Sequence, residues 1–244
     1  MPVLKVIVDS IKIETHNVKT YRLRYKDPTA KFDFKPGQFV MLAVSCLKDG
    51  KDQIIRRAYS IASPPTQTGS LDLTMKKEGL VTTKMDSLKG GEEIEISGPY
   101  GVFVFQENMS KNVMFLAAGA GIAPIWGIMK YIADKNLDVK MTLLFSNMTP
   151  HDLIYETEIP DIEKRCRDLL IALTITRPHE STKKEIDSWK GGQGRIDKAM
   201  IKEHVDKRNP DLFYICGAPE MVNACVQHLK ELGVSQARIR TERF

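Results

Sequence analysis

The stretch Arg56-Arg57-Ala58-Tyr59-Ser60-Ile61-Ala62-Ser63-Pro64 gathers a guanidinium fork, an aromatic ring and a hydroxyl within a few positions. On an extended strand, side chains two apart share a face. Arg57 and Tyr59 then point the same way, one able to grip a phosphate and the other to lie against a ring. That pairing suits a large ligand with an anionic end and an aromatic end. Strict alternation sends Ser60 to the opposite side, unless the strand bends before Pro64-Pro65. The plainer reading is an edge strand with an exposed arginine and a half-buried tyrosine.

A second group is Gly119-Ala120-Gly121-Ile122-Ala123-Pro124, which follows an apolar run and opens a helical pattern. Glycines there let a phosphate approach backbone N–H groups at a helix start. Pro124 stands where a dinucleotide fingerprint has a third glycine, and a first helical turn tolerates proline. No acidic ribose ligand follows the next strand, which ends Phe145-Ser146-Asn147. A tight turn needed only for packing is the alternative. Ile215-Cys216-Gly217-Ala218-Pro219 puts a thiol at the end of another strand. A buried structural cysteine is the competing reading there.

Two kinds of element must position these groups. Up to about Phe105 the chain reads as short strands: Leu4–Val8, Lys19–Tyr25, Phe39–Ala43, Arg57–Ile61, Leu71–Lys76 and Glu93–Ser97. Glycine- and proline-bearing turns separate them, the pattern of an antiparallel barrel or sandwich. After Asn108, strands alternate with helices: Val113–Ala118, Ile122–Lys135, Val139–Phe145, Leu169–Thr176, Asp197–Val205, Leu212–Cys216, Pro219–Leu232 and Arg238–Thr241. That alternation predicts a doubly wound parallel sheet, whose ligand lies outside the strands' carboxyl ends. The seam falls at Phe105–Lys111, giving domains over 1–107 and 108–244.

Composition narrows the function classes. The chain has 244 residues and a net charge of +5. Residues 1–110 carry 16 Lys+Arg against 13 Asp+Glu, and the rest carry 20 against 18, with no basic block. Nucleic-acid binding is therefore not expected. A mildly basic surface can steer an acidic protein partner. The start Met1-Pro2-Val3-Leu4-Lys5 lacks a signal-peptide pattern, and the most apolar run, Val113 to Met129, is too short to span a membrane. The four cysteines and five histidines form no metal-binding spacing. The expectation is a cytoplasmic protein without a metal or a membrane span.

Taken in order, Arg57-x-Tyr59-Ser60, Gly98-Pro99-Tyr100-Gly101-x-Phe103, Gly119-x-Gly121-x-x-Pro124 and Cys216-Gly217-x-Pro219 resemble the ferredoxin–NADP reductase superfamily over essentially the whole chain. The resemblance implies FAD on a six-stranded antiparallel barrel and NAD(P)H on the α/β domain. It makes Arg57 a ligand of the FAD pyrophosphate, Tyr59 the ring against the isoalloxazine and Ser60 the hydroxyl near flavin N5. Gly79-Leu80-Val81-Thr82-Thr83 is similar to the family's second phosphate loop, with Thr82 at its hydroxyl position. Lys76 precedes that loop at the flavin edge. Gly119, Gly121 and Pro124 would line the nicotinamide nucleotide, and Cys216 with Gly217 would sit by its ring. Glu242 and Phe244 match an acidic-aromatic ending near the flavin face. Ser60, Cys216 and Glu242 then act by positioning, since hydride transfer needs ring atoms aligned at roughly 3–3.5 Å.

For the cosubstrate the residues point two ways. Thr176-Arg177 ends a strand where NADPH-using relatives place a hydroxyl and an arginine, with Ser146 and Tyr155 as helpers; a bidentate arginine–phosphate contact is the expected chemistry. Asn147-Met148-Thr149-Pro150-His151-Asp152 instead resembles segments of NADH-using cytochrome b5 reductases. The chain shows no iron–sulfur cysteine cluster, so the resemblance implies single electrons passed to a separate ferredoxin, flavodoxin or oxygenase component. The alternatives are a reductase of free flavin or ferric chelates, and an electron-transfer subunit of a larger complex.

Overall fold

The computed structural model describes residues 2–244, apart from the side chain of Lys48. Six strands form the first half: β1 (Val3–Thr15), β2 (Val18–Tyr25), β3 (Phe39–Lys48), β4 (Lys51–Ser60), β5 (Ser70–Lys76) and β6 (Glu93–Tyr100). Alternation drives their packing. Val6 and Val8 of β1, Tyr21, Leu23 and Tyr25 of β2, and Val40, Leu42 and Val44 of β3 point into one core. The sheet is antiparallel in the order β4-β3-β6-β1-β2-β5. It curls until its edges meet, Ile61 bridging Leu73 of β5. The Ile61 N–H donates to Gln38 O at 2.9 Å, and the Ala62 N–H to Asp72 O at 2.8 Å. The chain therefore leaves β3 for β5 just after Ser60, which supplies the bend that strict alternation lacked. Helix α1 (Leu80–Asp86) follows β5.

The second half runs β7 (Asn112–Ala118), α2 (Ile122–Asp134), β8 (Lys140–Asn147), α3 (Ile159–Arg165), β9 (Leu169–Ile175), α4 (Lys183–Ser188), β10 (Gly192–Gln193), α5 (Lys198–Arg208), β11 (Leu212–Gly217), α6 (Pro219–Glu231) and β12 (Ile239–Arg243). The six strands are parallel, in the order β10-β9-β8-β7-β11-β12. Both faces are covered, in keeping with central strands that are mostly apolar. Phe115 of β7 and Tyr214 of β11 pack toward α2, while Met114, Leu116, Phe213 and Ile215 pack toward α6. Strand order reverses beside β7, and the loop after it holds Gly119 at the reversal.

The halves interlock. Phe103 and Phe105 sit in the core beneath α2, and Tyr214 Oη donates to Val104 O at 2.7 Å. Tyr155, in left-handed backbone at φ 62, stacks on Trp126 at 4.7 Å and 13°. Its hydroxyl lies 2.5 Å from Thr74 Oγ1 of β5, and its N–H donates to Glu14 Oε2 of β1 at 3.3 Å. Below it, Glu158 accepts from Lys12 Nζ at 2.7 Å, Lys130 Nζ at 2.9 Å and Trp126 Nε1 at 3.0 Å. Burial works to raise the Glu158 carboxyl, but Lys130, Lys12 and the indole outweigh it and hold it at about 2. No helix among the described residues is long and apolar enough to cross a membrane.

Candidate functional site

One wall of the first cavity is β4, most of which is exposed because none of the described residues covers its outer face. The groove beside it, about 680 Å³, is lined by Arg57, Tyr59 and Ser60 of β4. Lys76, the N-cap Gly79 and first turn of α1 through Val81 and Thr82, and Phe244 close its other sides. Large apolar side chains also face it: Ile54 is 58% exposed, Leu80 51% and Phe244 63%. Such surface is unfavourable in water and marks a site for a large apolar or aromatic ligand.

Arg57 spends one N–H on its neighbour, Nη1 donating to Arg56 O at 2.8 Å. It has no ion-pair partner among the described residues, so its fork is free for an anion. Burial pushes the Tyr59 hydroxyl up to about 12 even with the Arg57 charge nearby; the ring stays neutral at physiological pH. Thr82 also lines the groove, with its hydroxyl bonded to nearby backbone. Its Oγ1 accepts from Glu78 N at 2.9 Å and Gly79 N at 3.0 Å and lies 3.1 Å from Gly79 O. That hydroxyl is hydrogen-bonded to the N-cap backbone of α1 and shapes the start of that helix.

Ser60 sits at the corner where the barrel closes and lines the same groove as Tyr59. Its Oγ donates to Glu242 Oε1 at 2.7 Å, joining residues 182 apart in sequence. Glu242 lies on β12 in register with Cys216 of β11. Burial raises the Glu242 carboxyl, and the Ser60 hydrogen bond partly offsets this. Burial, then the nearby Glu242, pushes the fully buried Cys216 thiol well up, so it is a neutral thiol and not a nucleophilic thiolate.

The second cavity, about 780 Å³, opens at the carboxyl ends of β7, β8 and β9. Gly119, Ser146, Asn147, Thr176 and Arg195 line it. Gly119 is left-handed at φ +51 with open space where a Cβ would stand, so the backbone is bare to a ligand. Lys76, Glu78, Ala120 and Phe244 line both cavities and make them neighbours.

Several expected ligands lie off these walls. A Cβ on Gly121 would stand 2.4 Å from the Cys216 carbonyl oxygen, so that glycine serves close packing. Pro124 is buried in the first turn of α2, and Cys216 and Gly217 are buried at the end of β11. Arg177 turns outward to Glu180 Oε1 at 3.2 Å. Tyr155 is spent between the halves. The guanidinium on the cavity wall belongs instead to Arg195, just past β10, with no ion-pair partner among the described residues. Its sequence signal was faint: an arginine between glycine and isoleucine after a two-residue strand. No His, Cys, Asp and Glu cluster suited to a metal occurs among the described residues.

Residues 5–105 match the oxidoreductase FAD-binding domain family, and residues 115–227 the oxidoreductase NAD-binding domain family. The chain is 28% identical over 233 residues to NADH-cytochrome b5 reductase 1 of Aspergillus fumigatus, covering 92% of this chain and 72% of that one. It is 29% identical over 234 residues to the glycine betaine monooxygenase reductase subunit of Chromohalobacter salexigens, covering 95% and 61%. Its fold matches a ferredoxin NADP+ reductase from Neisseria gonorrhoeae solved with FAD and NADP, at a TM-score of 0.79 and 20% identity over 100% of this chain and 99% of that one.

Proposed function

We propose a function from one premise: the chain belongs to the ferredoxin–NADP reductase superfamily and is an NAD(P)H-dependent flavoprotein reductase. Residues 1–107 hold FAD and residues 108–244 hold NAD(P)H. The protein takes reducing equivalents from NADPH and passes single electrons to a separate redox protein, a cytochrome b5-like haem protein or an oxygenase component of acidic surface. The carrying observation is that two ligand-sized cavities meet at Lys76, Ala120 and Phe244, beside the Ser60–Glu242 hydrogen bond.

FAD, when bound, supplies the conversion of a two-electron donor into one-electron steps. The chain's own residues hold and orient. The free fork of Arg57 grips the pyrophosphate, and Tyr59 supplies a neutral ring. Ser60 and Glu242 keep an exchangeable proton in a half-buried corner. Cys216 packs as a neutral thiol in the core beneath them. Gly119 bares the loop backbone to the dinucleotide phosphates. Arg195, beside Thr176, meets the 2′-phosphate.

The purified protein is expected to be yellow and to bleach when NADPH is added without oxygen; a colourless protein that takes up no FAD refutes the reading. FAD stays with the wild type through gel filtration and is lost from Arg57→Ala. The cosubstrate choice is tested by kcat/KM for NADPH over NADH. Arg195→Ala lowers that ratio by roughly 10- to 100-fold, the worth of charged hydrogen bonds. Arg177→Ala leaves it unchanged.

A further inference from the structure

Asn147 ends β8 on the wall of the second cavity and is 4% exposed, yet neither its Nδ2 nor its Oδ1 has a hydrogen-bond partner among the described residues. Because both ends of the carboxamide are unpaired, the direction of the amide does not matter. A buried amide without partners is unfavourable, and native structures hold few of them. The backbone beneath is secured: Asn147 O accepts from Thr176 N at 2.9 Å and from Thr176 Oγ1 at 3.3 Å. The side chain is thus held at the cavity with one donor group and one acceptor unspent.

What satisfies both follows from chemistry. A phosphate only accepts hydrogen bonds, so it would answer Nδ2 and repel Oδ1. A hydroxyl both donates and accepts. The sheet order locates that hydroxyl along a bound dinucleotide. Gly119 lies at the end of β7, Asn147 at the end of β8, Thr176 just past β9 and Arg195 just past β10. Neighbouring strands are about 4.8 Å apart. A chain of phosphate, sugar and sugar phosphate laid across these ends puts the sugar at β8. The nicotinamide end must run the other way, toward β11 and the Ser60–Glu242 corner.

We infer that the Asn147 carboxamide is the ligand of a ribose hydroxyl on the adenosine half of the dinucleotide. The inference rests on the reading of the second cavity as the NADPH site. It makes Asn147 a binding residue for the sugar, separate from the arginine that selects its phosphate.

The test uses the FAD-loaded protein and calorimetric titration with 2′,5′-ADP and with nicotinamide mononucleotide, beside thermal unfolding without nucleotide. Asn147→Leu, close in size, is expected to weaken 2′,5′-ADP about tenfold, leave nicotinamide mononucleotide unchanged and keep or raise the nucleotide-free Tm. Asn147→Asp keeps an acceptor and the size but loses the donor, so it too weakens 2′,5′-ADP. A lower nucleotide-free Tm with unchanged 2′,5′-ADP affinity would show a structural amide satisfied by water and overturn the inference. A loss confined to nicotinamide mononucleotide would overturn it as well. Wild type that binds no pyridine nucleotide at all would instead sink the functional reading.

Discussion

Glu242 feels two opposing influences on its proton. Burial raises its carboxyl, and the Ser60 hydroxyl at 2.7 Å pulls it back down. Removing that hydroxyl in Ser60→Ala should raise the carboxyl further, which carbon NMR titration of labelled glutamate can follow. The sign for stability follows from linkage. A carboxyl raised on folding contributes fully below its ordinary value of about 4.5 and loses that contribution as pH climbs through the raised value. Glu242→Gln should abolish this part of the pH dependence. Flavin reduction by NADPH in Ser60→Ala should slow by roughly 100-fold, the lower end of what positioned proton-handling groups contribute. At this scale the sequence was legible where backbone position decides. Arg57, Tyr59, Ser60, Lys76, Gly79, Val81, Thr82 and Phe244 all line one groove. It was illegible where side-chain direction decides. Arg177 follows a strand end as expected, but Glu180 three residues on draws it outward. Arg195 reaches the cavity from a segment whose glycines read only as a loop.

Helix α2 packs closely against the backbone that follows β4. A Cβ on Gly127 would lie 2.8 Å from Ile61 O and 3.1 Å from Ser63 O, both backbone atoms. Glycine to alanine inside a helix normally gains about 1 kcal/mol. Here overpacking costs about 1–3 kcal/mol and wins. Gly127→Ala should therefore lower the Tm and loosen FAD, read as yellow colour lost on gel filtration, because the strained segment directly follows Ser60. Helical spacing alone shows Gly127 as a neutral interruption; only the packed partner shows its purpose. The strands were easier. Runs bounded by glycine- and proline-bearing turns marked all six of the first half, though β3 and β4 run on past Ala43 and back before Arg57 as one long hairpin. Polar and charged residues in that extension, such as Ser45, Asp52 and Gln53, masked the strand signal.

Across the whole molecule, the two cavities keep their relation only if the halves do. Tyr155, Trp126 and Glu158 hold them, and the ion group around Glu158 should leave a pH signature. Its carboxyl falls from about 4.5 to about 2 on folding. That stability is present above pH 4.5 and disappears as pH falls toward 2, the opposite sign to Glu242. Glu158→Gln should flatten acid unfolding in that window and cost about 1–2 kcal/mol at neutral pH, discounted for the water that reaches the group. Comparing urea midpoints at pH 7 and pH 3 measures it. Nothing in the order of residues announces this joint: Lys12 and Glu158 are 146 positions apart, and Tyr155 reads equally well as a nucleotide ligand.

The Ser60–Glu242 bond also dates the assembly of the site. It closes a loop of 182 residues and needs β12, made after all the other strands of the two sheets, laid beside β11. Contacts so distant in sequence form late, since the chain loses loop entropy before they reward it. In refolding from urea, circular dichroism should return before the flavin corner does. A chain stalled on the ribosome short of β12 would hold a barrel with its arginine fork in place and no Ser60–Glu242 corner.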